Sequence, residues 1–119
     1  MPVLLVALGG ALGAVTRLLV GMAFARRFGT AWPWGTLFIN LSGCFLIAVF
    51  AARLQSEALR YFLPIGFVGA YTTFSTFEFE TLRLFEAGQA AAALAYVLTS
   101  NVLGFAAVLL GGWVAKIAP

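Results

Sequence analysis

Side chains that could bind a small anion are concentrated in one short stretch of the chain, between Gly66 and Phe77. Phe74 and Phe77 lie three residues apart, so a helix would place both rings on one face. The edge of an aromatic ring carries partial positive charge and can attract an anion. Hydroxyl groups, which a small and strongly hydrated anion also needs, flank the rings at Thr72, Thr73, Ser75 and Thr76. The stretch therefore offers anion donors without a fixed positive charge.

Further polar residues interrupt apolar segments elsewhere in the chain. Asn40 offers amide donors together with an acceptor, and Tyr96 and Ser100 share one helical face with Gly104. Arg17 lies within the first apolar segment, where a charge is costly and usually faces protein or water. All of these residues have a second interpretation, because small and polar residues are common contacts between membrane helices. An arginine can also extend its head group to the membrane surface.

Composition excludes several classes of protein. Of the 119 residues, 63% are hydrophobic and 9% are charged, which indicates a chain that is dissolved in lipid. The net charge of +3 is too small and too scattered for a nucleic-acid surface. Histidine is absent and Cys44 is the only cysteine, so the chain has no Ser–His or Cys–His pair to activate a nucleophile and no internal disulfide. An enzyme is therefore not expected.

Four apolar segments must position these residues. They run from about Val3 to Phe24, Trp34 to Ala52, Tyr61 to Phe79 with a helical continuation towards Phe85, and Ala90 to Val114. Each is close to the roughly 20 residues that cross a bilayer as a helix. The connections are short, and the first segment has neither a basic start nor a cleavage site typical of a signal peptide. The sequence predicts one all-α membrane domain over residues 1–119, with four transmembrane helices.

The third segment is predicted to contain a break. Gly66 and Gly69 each cost a helix roughly 1 kcal/mol relative to alanine, and the hydroxyl side chains that follow compete for backbone hydrogen bonds. Broken membrane helices free carbonyl groups that can bind an ion. Ser75 and Glu78 have the spacing of a capping box, which predicts that the helix restarts there. Beyond this point, a solvated ladder of ion pairs is expected among Glu78, Glu80, Arg83 and Glu86.

The loop charges do not favour either orientation in the membrane. Four spans place Arg53, Arg60 and Lys116 on one side and Arg26, Arg27 and Arg83 on the other. The positive-inside rule therefore selects no topology. Copies inserted both ways could pair as an antiparallel dimer, which supplies the inverted symmetry that larger transporters obtain by internal duplication. A weak bias that is overcome by other signals would explain the same count.

Three motifs together resemble the Fluc/CrcB family of fluoride channels. They are Gly-Gly-x-x-Gly-Ala-x-x-Arg from Gly9 to Arg17, Gly-Thr-x-x-x-Asn-x-x-Gly from Gly35 to Gly43, and Gly-x-x-Gly-x-x-Thr-Thr-Phe-Ser-Thr-Phe from Gly66 to Phe77. The resemblance covers three of the four segments by motif and the whole chain by length. It implies a dual-topology antiparallel homodimer with two fluoride pores, four spans per chain and a break in the third.

The same resemblance implies roles for individual residues. The expected fluoride pathway consists of Asn40, Phe74, Ser75, Thr76, Phe77, Tyr96 and Ser100, with Arg17 at the vestibule. A structural sodium ion on the dimer axis is expected to bind the backbone carbonyls of Gly69 and Thr72. Gly104 stands where a further hydroxyl of the pathway is expected.

The leading hypothesis is a fluoride-selective channel in the inner membrane that exports cytoplasmic fluoride passively. Its expected partners are fluoride, lipid and a second copy of the chain. One alternative is a proton-coupled exporter of the small multidrug resistance kind. Such an exporter needs an ionisable carboxylate within the membrane, and the first, second and fourth segments contain no acidic residue. The other alternative is an assembly subunit that transports nothing.

Overall fold

A computed structural model describes residues 1–119 of the chain. In chain order the elements are α1 (Pro2–Phe28), α2 (Trp34–Arg53), α3 (Glu57–Arg60), a π-helical segment (Tyr61–Val68), α4 (Gly69–Tyr71), α5 (Phe74–Glu86) and α6 (Ala90–Ile117). The all-α prediction is confirmed. Three of the elements, α1, α2 and α6, are long and apolar enough to cross a membrane. They correspond to the first, second and fourth predicted spans.

The third predicted span is a succession of shorter elements. From α3 to α4 the helical backbone is continuous, but it widens over Tyr61–Val68, where the N–H of Gly69 donates to the carbonyl of Pro64 five residues back. Proline has no N–H and disturbs the α-helical pattern, and a wider turn accommodates it. Thr72 and Thr73 then have extended backbone, with ψ angles of 156° and 115°, before α5 begins.

Glycines on α1 allow the third segment to approach closely. A Cβ atom added to Gly9 would collide with the carbonyl oxygen of Phe62, and one added to Gly13 would collide with that of Phe67. These two glycines therefore serve helix packing, as small residues spaced four apart commonly do in membranes. Arg17 lies one further turn along α1, so the same ridge brings its guanidinium to the end of α4. The glycines of α1 thus help to set the position of the third segment, and with it that of the extended residues.

The exterior of the molecule is as apolar as its interior. Only 16 of the 119 residues are buried, and large apolar side chains such as Leu19, Val102 and Leu109 are exposed. This surface suits hydrocarbon as solvent and not water. Trp34 and Trp113 are exposed near the ends of their helices, as an interfacial aromatic belt requires.

Candidate functional site

The extended residues are held by a side chain from α2. Nδ2 of Asn40 donates to the carbonyl oxygen of Thr73 at 3.0 Å, and the backbone N–H of Thr73 donates to Oδ1 of Asn40 at 2.8 Å. The amide side chain thus pairs with the Thr73 backbone in the way that a neighbouring strand would. A primary amide has two N–H donors, so one of them is not needed for this pairing. Asn40, which was predicted from its lone position in an apolar helix, lies directly at the interruption.

Side chains also capture the hydrogen-bond donors that would close a helix through the interruption. In a continuous α-helix the N–H of Thr73 would bind the carbonyl of Gly69, and the N–H of Thr76 would bind that of Thr72. Here the first N–H donates to Asn40 and the second donates to Oγ1 of Thr73 at 3.3 Å. The carbonyl oxygens of Gly69 and Thr72 therefore lose the donors that a continuous helix would give them.

Arg17 contacts the other end of the interruption. Its Nε donates to the carbonyl oxygen of Ala70 at 3.1 Å, where the last carbonyls of α4 lack helical partners and a cation is favourable. Arg17 also lines a cavity of about 500 Å³, together with Thr36, Thr73 and Thr76. The arginine expected at a vestibule thus shares a cavity with two of the hydroxyl residues of the third segment.

The two phenylalanine rings have very different surroundings in one chain. Their centroids are 5.9 Å apart, but the Phe77 side chain is 5% exposed and the Phe74 side chain is 75% exposed. The Phe77 ring meets the ring of Tyr96 edge to face, with centroids 5.0 Å apart. Ser75, the next residue, is also exposed. A single chain therefore encloses only part of the predicted pathway.

A cavity of about 310 Å³ joins residues from three predicted spans. Its lining includes Asn40, Phe74, Phe77 and Ser100, together with Thr72 and Thr73. Oγ of Ser100 is buried and has no hydrogen-bond partner. A buried hydroxyl without a partner is costly. The cavity therefore contains a donor that a bound anion or a water molecule would satisfy.

Two residues beside Tyr96, Thr36 and Glu80, were not predicted to belong to the site. The hydroxyl of Tyr96 donates to Oε1 of Glu80 at 3.5 Å. Glu80 and the buried Thr36 line a small cavity of about 120 Å³ next to Trp32. Helical spacing could have found both residues, because Thr36 lies four residues before Asn40 and Glu80 lies three residues after Phe77.

Two local predictions for the third segment were wrong. The capping residue of α5 is Thr73, whose hydroxyl accepts from the N–H of Thr76, and not Ser75 with Glu78. The extended backbone ends earlier than expected because Asn40 fixes it at Thr73. The predicted ladder of ion pairs also does not form, since no carboxylate oxygen lies within 4.0 Å of the Arg83 side-chain nitrogens. The carboxylate of Glu80 instead accepts the bond from Tyr96.

The chain is similar to a known family and to several named proteins. Residues 4–112 match the model of the family described as "CrcB-like protein, Camphor Resistance (CrcB)". A protein of Acidobacterium capsulatum named "Fluoride-specific ion channel FluC" is 51% identical over 116 residues, which cover 93% of each chain. The similarly named protein of Anaeromyxobacter dehalogenans is 51% identical over 94% of this chain and 96% of its own. "Fluoride-specific ion channel FluC 1" of Nitrobacter hamburgensis is 47% identical over 92% of this chain and 90% of its own.

Proposed function

The chain belongs to the CrcB-like family, and on this premise we propose that it is a fluoride-specific ion channel of the inner membrane. In an acidic medium, fluoride enters a cell as neutral hydrofluoric acid, which dissociates in the less acidic cytoplasm. A selective leak then lets the anion leave down its electrochemical gradient, without a coupled reaction. The proposal is supported by relatives of that name, which are 51% and 47% identical over more than nine-tenths of this chain.

The observation that carries the proposal is the central cavity with its unpartnered Ser100 hydroxyl. The polar and aromatic residues that line it carry no charge: Ser100 and Asn40 have hydrogen-bond donors, and the rings of Phe74 and Phe77 have edges with partial positive charge. Neutral donors can replace the water shell of an anion without holding it tightly. A fixed cation would hold the anion and slow its exit. Such a site therefore suits conduction better than storage.

From this cavity the path continues along α6 towards the end of the molecule that carries the loop before α2. The Phe77 ring leads to Tyr96, and the hydroxyl of Tyr96 leads to Glu80 beside Thr36. Ser75 and Thr76 supply hydroxyls at the start of α5, where the anion would enter the phenylalanine pair.

A second copy, inserted upside down, would complete the pathway. Phe74 is 75% exposed although it lines the central cavity, so its outer face is available to a partner. The balanced loop charges give neither orientation an advantage. We therefore propose an antiparallel homodimer with two pathways, each lined by residues of both copies.

Sodium fits the carbonyls that the interruption frees. The helical donors of Gly69 and Thr72 are bound elsewhere, and broken helices hold sodium through such carbonyls. Two oxygens from each of two copies would give four ligands, so the ion would link the two copies at the dimer axis. When bound, it supplies positive charge that offsets the clustered carbonyl dipoles. The chain's own part is to keep both carbonyls free of helical donors.

The test is fluoride release from liposomes that contain the purified chain alone, measured with a fluoride electrode. We expect rapid release from the wild type and loss of release on Phe77→Ile, with the dimer preserved. Phe105→Ile is the matched control, because that ring is exposed on α6 outside the cavities described. A wild-type chain that releases no fluoride would reject the proposed function. Equal release by the wild type and Phe77→Ile would contradict the proposed role of the Phe77 ring but not the proposed channel function.

A further inference from the structure

An open basin lies where the loop between α1 and α2 meets the end of α5. Its volume is about 520 Å³, and its lining includes Thr30, Pro33, Glu80, Arg83 and Gln89. Side chains with donor groups, from the threonine, the arginine and the glutamine, therefore surround an opening at the edge of the membrane domain.

The basin is connected to the interior by shared residues. Thr30, Pro33 and Glu80 line both the basin and the cavity of about 120 Å³ that contains Thr36. Glu80 accepts the hydrogen bond of Tyr96, whose ring packs against Phe77, and Phe77 lines the central cavity. An unbroken series of contacts thus runs from the basin to the phenylalanine pair.

Arg83 is exposed in the basin and forms no close ion pair there. The side chain is exposed, no carboxylate oxygen lies within 4.0 Å of it, and its guanidinium stands 6.0 Å from the centre of the Phe79 ring. Glu80, the other charged residue of the basin, is engaged on its inner side by Tyr96. Both charges act on an ion in the basin, with opposite sign, so removing the charge of Arg83 would leave only the repulsive charge of Glu80 there. The ion pairs predicted for Arg83 do not form.

We propose that this basin is the aqueous mouth of the anion pathway at this end of the chain, and that Arg83 concentrates fluoride there. The inference rests on the proposed function. A unit charge about 7 Å away in water-like surroundings raises the local concentration of an opposite ion about two- to threefold. Charge that lines a cleft between low-dielectric walls acts in this way on entry rates. Arg83 is thus a residue for attracting the ion and not for binding it.

The test compares Arg83→Gln, Arg83→Lys and Arg83→Glu with the wild type in the liposome assay at two ionic strengths. At about 10 mM salt we expect Arg83→Gln to release fluoride two- to threefold more slowly, Arg83→Glu more slowly still, and Arg83→Lys close to the wild type. At about 500 mM salt the Debye length is only about 4 Å, so the differences should largely disappear. Arg27→Gln is the matched control, since Arg27 is exposed near the same end and lines none of these cavities.

The outcomes separate the inference from the proposed function. If Arg83→Gln released fluoride at the wild-type rate in low salt, the proposal that Arg83 attracts fluoride to the basin would be wrong. An equal deficit at both ionic strengths would also contradict it, because such a deficit indicates a structural role. A wild-type chain without fluoride release would overturn both proposals.

A second readout uses charge added after folding. Arg83→Cys is made in the Cys44→Ala background and modified with a cationic or an anionic methanethiosulfonate. Compared with the same sample before modification, the cationic reagent should raise release and the anionic reagent should lower it. Equal effects of the two reagents would contradict the proposal.

Discussion

Replacing Asn40 tests whether the interruption of the third segment is built by one amide side chain. In Asn40→Leu both hydrogen bonds to Thr73 are lost, at 3.0 and 2.8 Å. Each backbone group left unpaired costs about 1–3 kcal/mol, so the extended backbone becomes about 2–6 kcal/mol less favourable. The alternative for the Thr73 N–H is the carbonyl of Gly69, which would close the helix. Either result removes the geometry on which the pathway depends.

Asn40→Asp separates geometry from charge. Aspartate keeps the acceptor for the Thr73 N–H, loses the donor to its carbonyl, and places a negative charge beside the central cavity. Two like charges about 5 Å apart repel by about 3 kcal/mol at an effective dielectric constant near 20, which corresponds to roughly a hundredfold in rate. We therefore expect Asn40→Asp to stay folded and to lose at least that factor in fluoride release.

The assay is fluoride release from liposomes, with thermal unfolding in detergent measured on the same samples. Thr16→Val is the matched control, because the Thr16 hydroxyl donates only to the Leu12 carbonyl of its own helix, at 2.7 Å, and Thr16 lines none of the cavities described. We expect this control to unfold near the wild-type temperature. Wild-type stability and release in Asn40→Leu would refute the reasoning, because Thr73 would then not depend on the amide.

Three further predictions follow from the packing and from the proposed dimer. Gly13→Ala should destabilise the chain by about 1–3 kcal/mol, since a Cβ there meets the Phe67 carbonyl; Gly112→Ala, with open space around it, should be neutral or stabilising, and equal unfolding temperatures would contradict this. Replacing sodium by a large organic cation should lower both the thermal stability of the dimer and fluoride release, if Gly69 and Thr72 hold the ion; unchanged stability after exhaustive exchange would argue against the site. Single cysteines introduced in the loops should be labelled from both faces of the membrane in equal amounts, and labelling from one face alone would reject dual topology.

The long helices could be predicted from the sequence with little error. The segments expected from Val3 to Phe24 and from Ala90 to Val114 are the cores of α1 and α6, which extend to Phe28 and Ile117. Hydropathy finds such helices because lipid accepts an apolar surface on every side. Their ends extend beyond the prediction because helical hydrogen bonds continue into the interface, where hydropathy no longer marks them.

The contacts of charged residues were predicted poorly, because sequence spacing along one helix says nothing about other helices. Glu80 and Arg83 have the spacing of an ion pair on α5. In the structure α6 brings the hydroxyl of Tyr96 to Glu80, and the basin leaves Arg83 open to solvent. Thr36 was likewise overlooked, since its importance depends on Glu80 lying across from it.

The interruption itself illustrates the same limit. Glycines and hydroxyls between Gly66 and Thr76 indicate a weak helix, but they do not say which residue leaves it. That choice is made at Thr73, whose N–H is taken by Asn40 from 33 positions earlier in the chain. Once this N–H is taken, the Thr73 hydroxyl can accept from Thr76 and start α5. A single tertiary hydrogen bond therefore fixes where the carbonyls become free and where the phenylalanine pair begins.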